Sequence, residues 1–116
     1  MVSNKRIIQF VELNIKNEQL KLKIKTYDGR CVDFSRSNQR SIQTSHCHDG
    51  TNQHFIFHPD QSITVQGKCL DVAGKQKHDG AEVIAYTCNG QSNQKLDPTN
   101  CFNVGIGHSS KLKAWR

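Results

Sequence analysis

Aromatic residues are scarce in this chain of 116: one Trp, two Tyr and five Phe, 7% in all. Apolar residues of every kind reach only 34%, against about 45–50% in ordinary globular domains. A core with so little apolar mass gains from covalent staples. Long hydrophobic runs are also missing. No stretch of about 18 apolar residues exists, so no membrane-spanning helix is expected. Met1 to Gln9 lacks the apolar centre of a secretory signal. A mature form, a piece of or a domain tethered to a larger protein, and a cytoplasmic chain with reduced thiols all remain open. No Asn-x-Ser/Thr acceptor occurs, so glycosylation is silent on compartment. Neither a nucleophile elbow, a phosphate loop nor a catalytic carboxylate pair is present. A non-enzymatic protein without a cofactor is expected.

What is present centres on Gly67 to Leu96, GKCLDVAGKQKHDGAEVIAYTCNGQSNQKL. Lys68 to Val72 alternates in a way that predicts a short strand, and Glu82 to Thr87 predicts another. The polar loop between them ends in Asp79-Gly80, a turn dipeptide. If Cys69 and Cys88 close that loop, Asp71 and Tyr86 lie near each other. A carboxylate accepts hydrogen bonds from vicinal hydroxyls, and an exposed ring covers an apolar C–H face. That combination suits a sugar. A disulfide-closed structural repeat with no ligand accounts for the same residue types.

The pattern occurs twice. Gly29-Arg30-Cys31-Val32-Asp33 matches Gly67-Lys68-Cys69-Leu70-Asp71 at a step of 38. Cys47, Asn52 and Gln53 match Cys88, Asn93 and Gln94 at a step of 41. The three added residues fall in the polar loop of the second copy, where insertion costs little. A period of about 40 with several strand signals per unit marks a repeat architecture.

These residues resemble the ricin B-type, or QxW, β-trefoil lectin family: G-K/R-C-L/V-D, a hydrophobic strand ending in Cys, then N-Q-x and an apolar residue. The resemblance covers residues 26–105. The Cys47-His48-Asp49-Gly50-Thr51-Asn52-Gln53 stretch is also similar to the lectin domains attached to mucin-type glycosyltransferases. Where the family carries Trp after Gln-x, this chain has Phe55 and Leu96, so an apolar knob stands there without the indole.

The resemblance implies an all-β fold, a β-trefoil in one domain spanning 1–116. Its units are 26–65 and 66–105, with a partial third unit shared between the termini. It implies disulfides Cys31–Cys47 and Cys69–Cys88, which leave Cys101 unpaired. Loops of 15 and 18 enclosed residues are each worth roughly 3 kcal/mol by the chain-entropy argument. Paired cysteines in turn favour a secreted, extracellular setting.

In this family a sugar site comprises the Asp after the first Cys, the aromatic two before the second, and the Asn of the Asn-Gln pair. The second unit has all three in Asp71, Tyr86 and Asn93, with Gln94 as buttress. The first unit has Asp33, Asn52 and Gln53, with His48 beside them, but Ser45 stands where the ring should be. It is expected to be a degenerate second site. The Asn-Gln pairs also fit a purely structural role, pinning turns. The ligand implied is a glycan of galactose or N-acetylgalactosamine type.

At the N-terminal end, Ile7 to Ile15 and the alternating Leu20 to Lys25 predict a strand pair turning at Asn14 to Gln19, with Leu20, Leu22 and Ile24 inward. A helix over Arg6 to Lys25 is the competing reading. At the other end, Phe102-Asn103-Val104 matches Ile63-Thr64-Val65 and completes the second unit. Alternatively Cys101 to Val104 imitates Cys69 to Val72, with Trp115 in the place of Tyr86.

His46-Cys47-His48, with His54 and His58, invites a zinc reading, but the spacing matches no standard finger. Exposed loop histidines are expected, and no metal. The net charge of +6 includes Lys21, Lys23 and Lys25 on one strand face. Dispersed charge serves solubility, and an edge lysine row discourages aggregation. A basic face also attracts anionic glycans or nucleic acid, although the interleaved aromatics of a nucleic-acid platform are missing. A trefoil scaffold for protein contacts is the remaining alternative.

Overall fold

A computed structural model describes residues 8–16, 19–26, 28–75, 81–96, 102–104 and 111–114. The Asp79-Gly80 turn, Pro98, Cys101 and Trp115 lie outside the described residues. The strands are β1 (Ile8–Lys16), β2 (Gln19–Thr26), β3 (Cys31–Phe34), β4 (Ile42–Ser45), β5 (Phe55–Phe57), β6 (Ile63–Val65), β7 (Lys68–Val72), β8 (Ala81–Tyr86), β9 (Phe102–Val104) and β10 (Leu112–Ala114). Between them the described residues form only single-turn helices. The chain is all-β.

β1 and β2 are an antiparallel pair, which excludes the helix over Arg6 to Lys25. The turn is tighter than Asn14 to Gln19. Strand pairing runs to Lys16 opposite Gln19, because a register shift between Glu12 and Asn14 carries the ladder past Asn14. Leu22 and Ile24 are buried, while Leu20, at the strand start, is half-buried. The second strand of the organising stretch also differs by one residue from Glu82–Thr87. Thr87 leaves the ladder because its carbonyl accepts the Gln94 side-chain amide.

All pairing is antiparallel, in the order β4-β3-β2-β5-β6-β7-β8-β10-β9, with β1 on β2. The ribbon curls back on itself: Ser41 pairs with Ile84, Gln43 with Lys111, and the Ala85 amide donates to the Arg40 carbonyl at 2.9 Å. β9 stands to β10 as β6 stands to β7. The inward faces supply one core: Ile24, Val32, Phe34, Ile42, Phe55, Ile63, Val65, Leu70, Val72, Ala81, Val83, Ala85, Leu96 and Leu112. Phe55 and Leu96, the residues in place of the family's indole, both lie in it.

The two copies start alike for a backbone reason. Gly29 and Gly67 have φ of +84° and +82°, the left-handed region that glycine enters without strain. Each glycine delivers the chain into a strand whose cysteine is bonded across the unit, Cys31 to Cys47 and Cys69 to Cys88. The bonds tie β3 and β7 to the loops after β4 and β8.

Candidate functional site

Asp71 lies on β7 with Cys69, one side-chain period away, and Cys69 faces Tyr86 across the ladder. Directly opposed residues share a sheet face, so Asp71 and Tyr86 are diagonal neighbours. Their exposures differ sharply: Asp71 is 5% exposed and Tyr86 54%. The carboxylate forms the floor and the ring stands in solvent.

The single-turn helix Ser92–Gln94 brings two amides onto that floor. Asn93 Nδ2 donates to Asp71 Oδ1 at 3.0 Å, and Gln94 Nε2 donates to Asp71 Oδ2 at 2.8 Å. Gln94 also donates to the Thr87 carbonyl at 3.0 Å and accepts from the Asn89 amide at 2.9 Å. Its one side chain thus clamps the strand end, the following loop and the carboxylate. Asn93 Nδ2 makes a second, longer contact with the Val72 carbonyl. Asn93 Oδ1 is buried and has no hydrogen-bond partner among the described residues. An orphaned buried acceptor costs free energy until a donor reaches it.

The first copy repeats this frame in its own residues. Asp33 Oδ2 accepts from Asn52 Nδ2 at 3.1 Å and from Gln53 Nε2 at 2.9 Å. Gln53 holds the His46 carbonyl and the His48 amide, as Gln94 holds Thr87 and Asn89. His48 Nε2 lies 3.7 Å from Asp33 Oδ2, and its Nδ1 accepts from the Gly50 amide at 2.9 Å. Ser45 pairs with Cys31 where Tyr86 pairs with Cys69. All four first-copy residues therefore come together, with Ser45 in the place of the Tyr86 ring and the His48 imidazole as the ring beside Asp33.

Sequence reasoning missed Arg36. Its Nη2 donates to Asn52 Oδ1 at 2.9 Å, filling the acceptor whose counterpart on Asn93 is unmet. The equivalent residue in the second copy, three after the aspartate, is Gly74. The Arg36/Gly74 difference was legible in the alignment of the two copies. A Cβ at Gly50 would come within 2.6–2.7 Å of Arg36 Nη2, Asn52 Oδ1 and His48 Cε1, so a larger residue there would displace these side chains.

Basic side chains lie near His54, which follows the first Asn-Gln pair. His54 is held below the ordinary imidazole range by burial first, then by Lys21 and Lys23, with His48 adding to them and Asp49 opposing. On the far side of Gln94, a depression of about 140 Å³ is lined by residues including His58, Asp60, Thr64 and Lys95. It contains neither Asp71, Tyr86 nor Asn93. Asp60 on its rim is lowered to about 2, chiefly by the Ser62 hydroxyl and amide and then by Lys95. Among the described residues no three His, Cys, Asp or Glu side chains converge as metal ligands.

A family described as the ricin-type beta-trefoil lectin domain matches residues 3–109. The chain belongs to that family. The lectin domain is also similar to solved structures. It superposes on the agglutinin from Abrus precatorius with a TM-score of 0.68 at 21% identity, over 89% of this chain and 46% of that one. The Macrolepiota procera ricin B-like lectin, in complex with lactose, matches with a TM-score of 0.56 at 15% identity, over 99% and 88% of the two chains. These likenesses establish the fold, a β-trefoil. A probable lipoprotein of Salmonella typhimurium, EnvE, is 39% identical over 72 residues, 62% of this chain and 41% of that protein. The lectin domain thus matches less than half the length of that relative. The family is one of carbohydrate-binding domains that are generally non-catalytic.

Proposed function

We propose that the domain binds a galactose-type sugar at its second repeat, through Asp71, Tyr86 and Asn93, with Gln94 fixing the carboxylate, and that it has no catalytic activity. The observation that carries this reading is the buried, unmet Asn93 Oδ1 beside a clamped carboxylate and an exposed ring. A sugar hydroxyl donating to Asn93 Oδ1 satisfies that acceptor. Asp71 uses each carboxylate oxygen once, which leaves lone pairs for vicinal hydroxyls. Tyr86 covers the apolar face of the ring. Galactose is the first sugar to try, because lactose, the ligand of the Macrolepiota procera lectin, contains it.

The two disulfides suit an oxidising compartment. With a relative described as a probable lipoprotein, they support placement at the cell envelope or outside the cell, joined to or derived from a larger protein.

The test is a titration of the intact domain with galactose and N-acetylgalactosamine. The backbone amides of Asp71, Tyr86 and Asn93 should shift together and saturate. Shifts confined to residues 21–25, with those three unmoved, would replace this reading by one of binding to anionic polymers along the lysine strand.

A further inference from the structure

The structure points to a second site of different chemistry: we infer that the first repeat binds an acidic sugar, with Arg36 taking its carboxylate or sulfate. The inference rests on the reading that these repeats bind sugars, but not on the second-repeat site.

Asp33, Asn52 and Gln53 are 6%, 2% and 0% exposed and joined by hydrogen bonds, so the floor is as built as that of the second repeat. Two features differ, and both point the same way. Ser45 offers no ring, which removes the stacking that holds a neutral sugar. In its place the site carries a full positive charge. The Arg36 guanidinium is exposed and donates to a neutral amide, with no carboxylate within ion-pair distance among the described residues. Five N–H donors in a planar fork leave ample capacity for a bidentate bond to a carboxylate or sulfate.

The surroundings reinforce the charge. Lys21 and His48 act on His54, while Lys23 and the fully exposed Asp49 lie 3.5 Å apart and offset each other. The Asp33 carboxylate is held by two amide donors, with His48 Nε2 3.7 Å away. The hydroxyls of the sugar then meet Asp33 and His48, while its anionic group meets Arg36.

The experiment uses the intact domain and Asp71→Ala, which silences the second repeat. Galacturonate, galactose 6-sulfate, neutral methyl galacturonate, galactose and inorganic sulfate are titrated against the amide signals of Arg36, His48 and Asn52. The two acidic sugars should shift those signals saturably in both proteins. The neutral sugars and sulfate alone should bind at least about tenfold more weakly, and added salt should weaken the acidic sugars. Arg36→Gly, checked for an otherwise intact spectrum, should abolish the response, and Arg36→Lys should retain only part of it. Equal binding of methyl galacturonate, equal binding of inorganic sulfate, or a response unchanged in Arg36→Gly would overturn the inference. Galactose binding at Asp71, Tyr86 and Asn93 with no acidic sugar at Arg36 overturns this inference alone. Acidic-sugar binding at Arg36 with no galactose at Asp71 overturns only the proposal for the second repeat.

Discussion

Asn52 and Asn93 occupy equivalent places in the two repeats, each donating Nδ2 to a buried aspartate, yet among the described residues only Asn52 has its Oδ1 met by a side chain. One residue causes the difference. Arg36 reaches Asn52, and the glycine at its counterpart, Gly74, cannot reach Asn93. Two frames built from the same Asp, Asn and Gln thus present different faces to a ligand.

Asp71→Ala should eliminate galactose binding in practice. Each charge-assisted bond from a sugar hydroxyl is worth roughly 1.5–3 kcal/mol, and a shallow lectin contact has little to spare. The same change strips the Asn93 and Gln94 amides of their acceptor, so a loss of about 1–3 kcal/mol in urea unfolding should accompany it. Asp33→Ala should destabilise similarly while leaving galactose binding almost intact. Calorimetric titration and denaturant midpoints together check the pair.

Tyr86→Ala should weaken binding by about 0.5–1.5 kcal/mol or more and leave stability nearly unchanged, because the ring is 54% exposed. Tyr86→Trp should preserve or improve affinity. A large drop in thermal midpoint for Tyr86→Ala would mean that the ring supports the fold instead.

Reduction should be costly. Cys31–Cys47 and Cys69–Cys88 span sequence separations of 16 and 19, each worth roughly 3 kcal/mol by the chain-entropy argument. Paired Cys69→Ser and Cys88→Ser substitutions should lower the unfolding free energy by about that amount. Loss of binding beyond it would report the displaced Gln94 loop. Non-reducing peptide mapping should recover both links.

His54 gives the chain a pH dependence of known sign. Its folded pKa lies below the ordinary value, so between the two the unfolded chain binds more protons. Stability therefore rises with pH across that window, is fully present above about 6.5 and falls on acidification. Lys23→Gln should raise the His54 midpoint, followed by its ring proton signal, and narrow the window. A midpoint unmoved in that variant would remove Lys23 from the causes and leave burial and Lys21.

Much of the fold could be read from local pattern. Cys31-Val32-Asp33 and Cys69-Leu70-Asp71 alternate with period two and follow a turn glycine, so their strands need no distant information. The repeat step then aligned Asp33 with Asp71 and Asn52 with Asn93 before any geometry was known. Boundaries were less legible. Thr87 reads as strand from its own extended preference, while β8 ends at Tyr86 and the Thr87 carbonyl accepts the Gln94 amide.

The sequence by itself determined the frame: two copies of a strand, a loop, an Asn-Gln pair and two cysteines, and hence the family and the all-β class. Tertiary structure alone decided which polar atoms in each frame are already met. Arg36 and Asn52 are 16 residues apart, and nothing in residue type or period tells which acceptor a flexible guanidinium will choose. That choice depends on the curl of β3 and β4 and on the bare Cα of Gly50 beneath the guanidinium. A hydrogen bond is directional and short-ranged, so it is set by placement to within about an ångström, while strand pattern needs only a period.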